Sequence, residues 1–157
     1  MSTPLLQTAS YYGHLGIVKL LIGYGVDVNE RNQRGWTALM SVSLGFLKEH
    51  KFWSTVAWKN RLEIAKILIN YGADVNAVNA YGQTALMLAV NCYHRGDKTY
   101  CKHFDMAKLL IKYGADVKKK DNNGLSAIEY LKVSHRGSKS KADVMNLLKK
   151  RKTKLSV

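Results

Sequence analysis

A chain of 157 residues is enough for about one domain, and it lacks both the uncharged apolar run of roughly 18 residues that would span a membrane and the basic leader that would direct export. Its two cysteines, Cys92 and Cys101, are too few to staple a secreted scaffold, so a reducing, cytoplasmic setting is expected. The net charge of +14 is unevenly spread: residues 1–90 hold eight Lys and Arg against five Asp and Glu, and residues 91–157 hold seventeen against six, so an anionic partner would meet the C-terminal half.

Residues 3–23 read as a first helix pair, with Ser2 or Thr3 as N-cap and Pro4 in the first helical position, where its missing N–H costs nothing. Gly13-His14 separates the two helices. Gly16–Leu39 then runs GIVKLLIGYGVDVNERNQRGWTAL, and Leu62–Leu86, LEIAKILINYGADVNAVNAYGQTAL, carries the same words most fully. In the latter, Leu62, Ile64, Ala65, Ile67, Leu68 and Ile69 recur at helical spacing, leaving Glu63, Lys66 and Asn70 outside. Gly72 stops the helix by taking the left-handed C′ conformation. The polar run to Gly82 offers a turn, and Thr84 caps the helix that follows. Asp105–Ile128, DMAKLLIKYGADVKKKDNNGLSAI, matches without gaps. The last pair, Ser126–Ser134 and Ala142–Lys152, is imperfect and polar outside through Asn146, Lys149 and Lys150, as a terminal repeat should be. A helix, a protruding turn and a second helix cannot bury both helical faces alone, so these units must stack.

The three ungapped copies resemble the ankyrin repeat family, whose G-A-D-V-N stands at Gly72–Asn76 and whose G-x-T-P-L stands at Gly82–Leu86. The family's Pro is replaced by Ala38, Ala85 and Ala127, and its following His by Met40, Met87 and Glu129, which removes a His-mediated polar link between repeats. The resemblance implies an all-α solenoid of about four helix-turn-helix repeats joined by β-hairpin-like turns. One domain would span 1–157, with repeats at about 3–34, 35–81, 82–123 and 124–151 and a basic tail at 149–157. It also implies a binding surface made by the hairpin tips and the exposed edge of the inner helices. By register these are Gln33, Arg34 and Trp36; Ala80, Tyr81 and Gln83; Asn122, Asn123 and Leu125; and, on the inner helices, Tyr11, Tyr12, Leu44, Asn91, Cys92, Val133 and Ser134. Aromatic residues and Arg most often carry interface energy, so Trp36, Tyr81 and Tyr11 are the expected anchors. The structural alternative packs Trp36 and Tyr81 against the neighbouring hairpin.

The spacing departs from the family. Gly35 to Gly82 is 47 residues and Gly82 to Gly124 is 42, against a period of about 33. Because the flanks align, the extra residues fall between an inner and an outer helix, at Gly45–Asn60, Tyr93–Phe104 and Val133–Ala142, on the side opposite the tips. These enlarged loops interleave Lys48, Lys51, Lys59, Arg95, Lys98, Lys102, Arg136, Lys139 and Lys141 with Phe46, Phe52, Trp53, Trp58, Tyr93, Tyr100 and Phe104. Cations neutralise phosphate while rings stack on bases, so nucleic acid is the alternative partner. The plainer reading lengthens two helices, packs Phe46, Phe52, Trp53 and Trp58 as a satellite core, and leaves the cations on a solvated face.

Cys92, His94, Cys101 and His103 have the ligand types and number of a tetrahedral zinc site, but C-x-H-x6-C-x-H is not a common finger spacing, so neither metal nor another cofactor is expected. The tail KKRKTKLSV reads as a nuclear-import or nucleic-acid signal or, more plainly, as a helix end whose cations complement the macrodipole. No nucleophile elbow, phosphate-binding glycine loop or H-E-x-x-H occurs, and no catalytic residue is assigned. The expectation is a monomeric, non-enzymatic module that binds a protein with acidic patches and does not contact membranes.

Overall fold

Each apolar stripe becomes one helix of a stacked pair. The computed structural model describes residues 4–44, 55–91, 94–95, 98–99, 104–133 and 139–154. Its helices are α1 (Leu5–Tyr12), α2 (Leu15–Gly23), α3 (Ala38–Ser43), α4 (Thr55–Asn70), α5 (Ala85–Val90), α6 (Phe104–Lys112), α7 (Ala127–Val133) and α8 (Lys139–Lys154). The inner layer runs α1, α3, α5, α7 and the outer layer α2, α4, α6, α8, each helix packing on the next of its layer and on its partner across the layers. Leu39, Met40, Ile64, Leu68, Leu86, Met106 and Leu110 form a continuous core between them. Among the described residues, no helix is long and apolar enough to cross a membrane.

Two helix starts show how the sequence sets the boundaries. Thr37 and Thr84 are extended and each accepts the N–H three residues on, from Met40 and Met87, at 3.3 Å. Helix α1 starts one residue later than expected: Pro4 is its N-cap, with ψ 137°, in place of Ser2 or Thr3. Its carbonyl accepts from the N–H groups of Gln7 and Thr8 at 3.1 and 3.2 Å, so Pro4 stands where Thr37 and Thr84 stand in the later repeats. Gln7 thereby occupies the position of Met40 and Met87. Its amide donates to the carbonyls of Glu30 and Trp36 at 3.0 and 2.7 Å, so the first repeat does have a polar link from inner helix to hairpin. Glu129, at the same register, turns back on its own helix and accepts from the Ser126 N–H and hydroxyl.

The returns from inner to outer helix differ, and this is where the extra residues enter. After α1 the chain turns in two residues: Gly13 is left-handed at φ 74°, and the N–H groups of Gly13 and His14 close on Ser10 and Ala9. Helices α3 and α5 end on extended residues instead, Leu44 (ψ 91°) and Asn91 (ψ 96°). The chain therefore leaves each of these helices extended, without the left-handed residue that closes α1. In the second insertion, β1 (His94–Arg95) pairs antiparallel with β2 (Lys98–Thr99), a short ribbon that the all-helical expectation did not include. The first insertion lengthens one helix rather than two, since α4 has 16 residues and α3 only six. Trp58, on the added turns, is half-buried against the core. Phe46, Phe52 and Trp53 lie outside the described residues.

Asparagine couples one repeat to the next. The Asn29 amide donates to the Gly72 carbonyl at 2.9 Å while its oxygen accepts the Asp74 N–H at 2.8 Å. Asn76 does the same one repeat later, with the Gly114 carbonyl at 3.2 Å and the Asp116 N–H at 2.7 Å. Asp27 and Asp74 hold these asparagines by accepting their backbone N–H groups at 2.8 Å. The DVN sequence of the first two hairpins is thus a local turn and a bridge at once.

Candidate interaction edge

Each hairpin tip is built by one side-chain oxygen. Asn32 accepts the N–H groups of Arg34 and Trp36, Asn79 those of Tyr81 and Gln83, and Asp121 those of Asn123 and Leu125, all between 2.8 and 3.0 Å. The glycine of each tip then closes on the same residue's carbonyl. Successive tips are hydrogen-bonded in register: the Ala80 N–H donates to the Arg34 carbonyl at 2.9 Å, and the Asn122 N–H to the Tyr81 carbonyl at 3.0 Å. Gly82 is needed for this approach. It sits at φ +74°, and a Cβ there would lie 2.5 Å from Asn122 Oδ1 and 2.8 Å from the Asn122 backbone nitrogen.

This register aligns the expected site residues into two rows with different fates. Arg34, Tyr81 and Asn123 are exposed, beside Gln33, Ala80 and Asn122, which are exposed too. Behind them, Trp36 is half-buried against the core. Gln83, also half-buried, is held from both sides: its oxygen accepts the Asn79 amide at 3.1 Å, and its amide donates to the Tyr130 hydroxyl at 2.9 Å. Tyr130 in turn donates to Asp121 Oδ2 at 2.7 Å. Burial opposes the Asp121 charge, but the Tyr130 hydroxyl and the N–H groups of Leu125 and Asn123 outweigh it and hold the carboxyl below its ordinary value. For Tyr130, burial and the Asp121 carboxylate raise the phenol, against the Gln83 amide. Trp36 and Gln83 are therefore tied into the scaffold, whereas Arg34 and Tyr81 face solvent.

The residues expected at the inner-helix edge lie at the helix ends, while the bodies of two inner helices are covered. Every residue of α3 and α5 is buried, and Leu44 is half-buried against the core. Asn91 is exposed at the end of α5. Tyr11 is half-buried at the end of α1, edge-on to Tyr12 at 5.2 Å, and exposed Tyr12 stacks on His14 at 5.9 Å. Burial raises the Tyr11 phenol against the opposing effect of Arg61. Cys92, Ser134 and the Val133 side chain lie outside the described residues, as do the side chains of Lys48, Lys51, Arg95, Lys98, Lys102, Arg136, Lys139 and Lys141. Lys59 is exposed, and Arg95 and Lys98 are register partners across the ribbon. Cys92, Cys101, His103 and the His94 side chain are likewise outside, and among the described residues no three His, Cys, Asp or Glu gather as a metal site.

One residue of consequence was missed from sequence. Arg61, 1% exposed, directs its guanidinium at the end of α3. Nε donates to the Val42 carbonyl at 3.1 Å, and Nη2 to those of Ser41, Val42 and Leu44 at 3.3, 2.8 and 2.7 Å. These are the carbonyls that no helical N–H reaches. Arg61 does for α3 what Gly13 does for α1. Burial lowers its pKa to about 10, against the opposing effect of Tyr11, so it is charged at neutral pH. Two signals were available in the sequence: Arg61 stands in register with His14, and it falls on the stripe completed by Ile64, Ala65 and Leu68.

A family model described as Ankyrin repeats (3 copies) matches residues 53–121, and one described as Ankyrin repeats (many copies) matches residues 6–45. Together they cover more than two thirds of the chain. Among curated proteins, no sequence matches it.

Proposed function

Since the chain belongs to the ankyrin repeat proteins, we propose that it binds a protein partner along the row of hairpin tips, with Arg34 and Tyr81 as the leading contacts. Ankyrin repeats are in general protein–protein interaction modules and typically non-enzymatic. The observation that carries the finer reading is the hydrogen-bonded register of the tips, in which the chain's own backbone bonds hold an exposed Arg and an exposed Tyr on successive repeats. A surface ordered before binding spends less of its interaction energy on ordering. The partner surface is acidic, because it meets Arg34 in a chain of net charge +14.

Affinity capture with the whole chain, run with and without nuclease, tests this reading. Proteins retained by the wild type after nuclease treatment and lost by the double variant Arg34→Glu, Tyr81→Ala support it. Retention by both chains equally places the contact elsewhere. A yield that disappears with nuclease points to nucleic acid, the reading that rests on the cationic C-terminal half.

A further inference from the structure

The first repeat exposes what every later repeat buries. Equivalent positions follow from the ungapped alignment of the outer helices: Ile17 with Ile64 and Met106, and Leu21 with Leu68 and Leu110. Ile64, Met106, Leu68 and Leu110 are all 0% exposed, whereas Ile17 is 50% exposed and Leu21 half-buried. On the inner helices, Leu5 shares its position with Ala38, Ala85 and Ala127, which are at most 2% exposed; Leu5 itself is 73% exposed. Leu20, 59% exposed, extends the patch by one helical step, while Val18 and Ile22 occupy the inward stripe of α2. Later repeats use this face to pack on the repeat before them. In α1 and α2 it is an open stacking surface.

We propose that this face binds the same face of a second copy of the chain, making a two-fold dimer in place of the monomer expected from sequence. Two observations select that occupant. The stretch Leu5–Gly23 contains a single formally charged residue, Lys19, so two such faces meet with almost no charge to desolvate. The opposite end cannot serve as the complement: α8 carries seven cations against one carboxylate, and its exposed Lys149 and Lys150 would be stripped of water by head-to-tail stacking. An isologous contact also holds the two cationic C-terminal halves apart and closes after two copies, whereas head-to-tail contact would grow a filament. The hairpin edge remains open along both copies.

Sedimentation of the full chain across roughly 1 to 200 µM, with light scattering for mass, tests the proposal. The expected species rises from 17.7 kDa to roughly 35 kDa with concentration, and added salt does not dissociate it. The variants Ile17→Glu and Leu20→Glu change half-exposed or exposed positions, so they should keep the wild-type circular dichroism and, at concentrations where both chains are monomeric, its melting curve, while weakening association at least about 10-fold. If both variants unfold, Leu5→Lys on α1 replaces them. A wild type that stays monomeric throughout, a dimer unaffected by these substitutions, or growth beyond two copies overturns the proposal.

Discussion

Arg61→Met separates the two opposing effects at the most deeply buried charge among the described residues. In the wild type, a pKa lowered to about 10 sets roughly 3 kcal/mol against the charged form. The guanidinium makes four contacts of 2.7 to 3.3 Å with three carbonyls, and hydrogen bonds to a charged group contribute about 1.5–3 kcal/mol each. The bonds therefore win. Methionine keeps most of the side-chain volume and removes both the desolvation cost and the donors, leaving the Ser41, Val42 and Leu44 carbonyls to find partners in a buried site. The expected loss is about 3–5 kcal/mol, which in a chain of this length lowers Tm by at least about 6 °C. Thermal melting followed by far-ultraviolet circular dichroism reads it directly. Arg61→Lys keeps the charge without the planar fork and is expected to recover only part of the loss. A methionine variant melting within about 2 °C of wild type would refute the view that Arg61 closes α3.

Other perturbations address the coupling between repeats. Asn76→Ala deletes both bonds to the following repeat and should cost about 1–2 kcal/mol, seen as a lower urea midpoint. Gly82→Ala combines a left-handed backbone with a Cβ pressed on Asn122; a loss of about 1–3 kcal/mol is expected, together with faster amide exchange at Ala80 and Asn122. Asp121→Asn weakens the tip of the third hairpin. Because the folded Asp121 pKa lies below its ordinary value, its contribution is complete above that ordinary value and is lost as pH falls through the folded one. The stability gap between wild type and Asp121→Asn should therefore narrow on acidification, in melts run from neutral to strongly acidic pH.

The repeated words of the sequence were enough for the helices, the stacked order and the alignment of the tips, because all of these follow from positions that recur. What recurrence conceals is depth. Trp36 and Tyr81 were equal candidates for anchors, yet one leans on the core and the other faces solvent, a difference that depends on neighbours in space. The inner helices show a related limit: an apolar period gives the direction of the core but not that the six residues of α3 and of α5 are all buried, with Tyr12 and Asn91 exposed at helix ends. Arg61 was hidden because its partners, the Val42 and Leu44 carbonyls, are backbone groups with no sequence signature. They need a partner only because the chain leaves α3 extended at Leu44, where α1 has the left-handed Gly13.

That extra chain enters only at the inner-to-outer returns has a consequence for how this protein can change. The distance from one hairpin tip to the next is set by Asn29, Asn76 and the Arg34–Ala80 and Tyr81–Asn122 bonds, all of them made by hairpin residues. Residues can be gained or lost at the returns, provided α3 keeps a substitute closure such as Arg61, and the pitch of the recognition edge stays the same. The molecule is in this sense a ruler with fixed graduations and a replaceable back, and variation on the two sides can be selected independently.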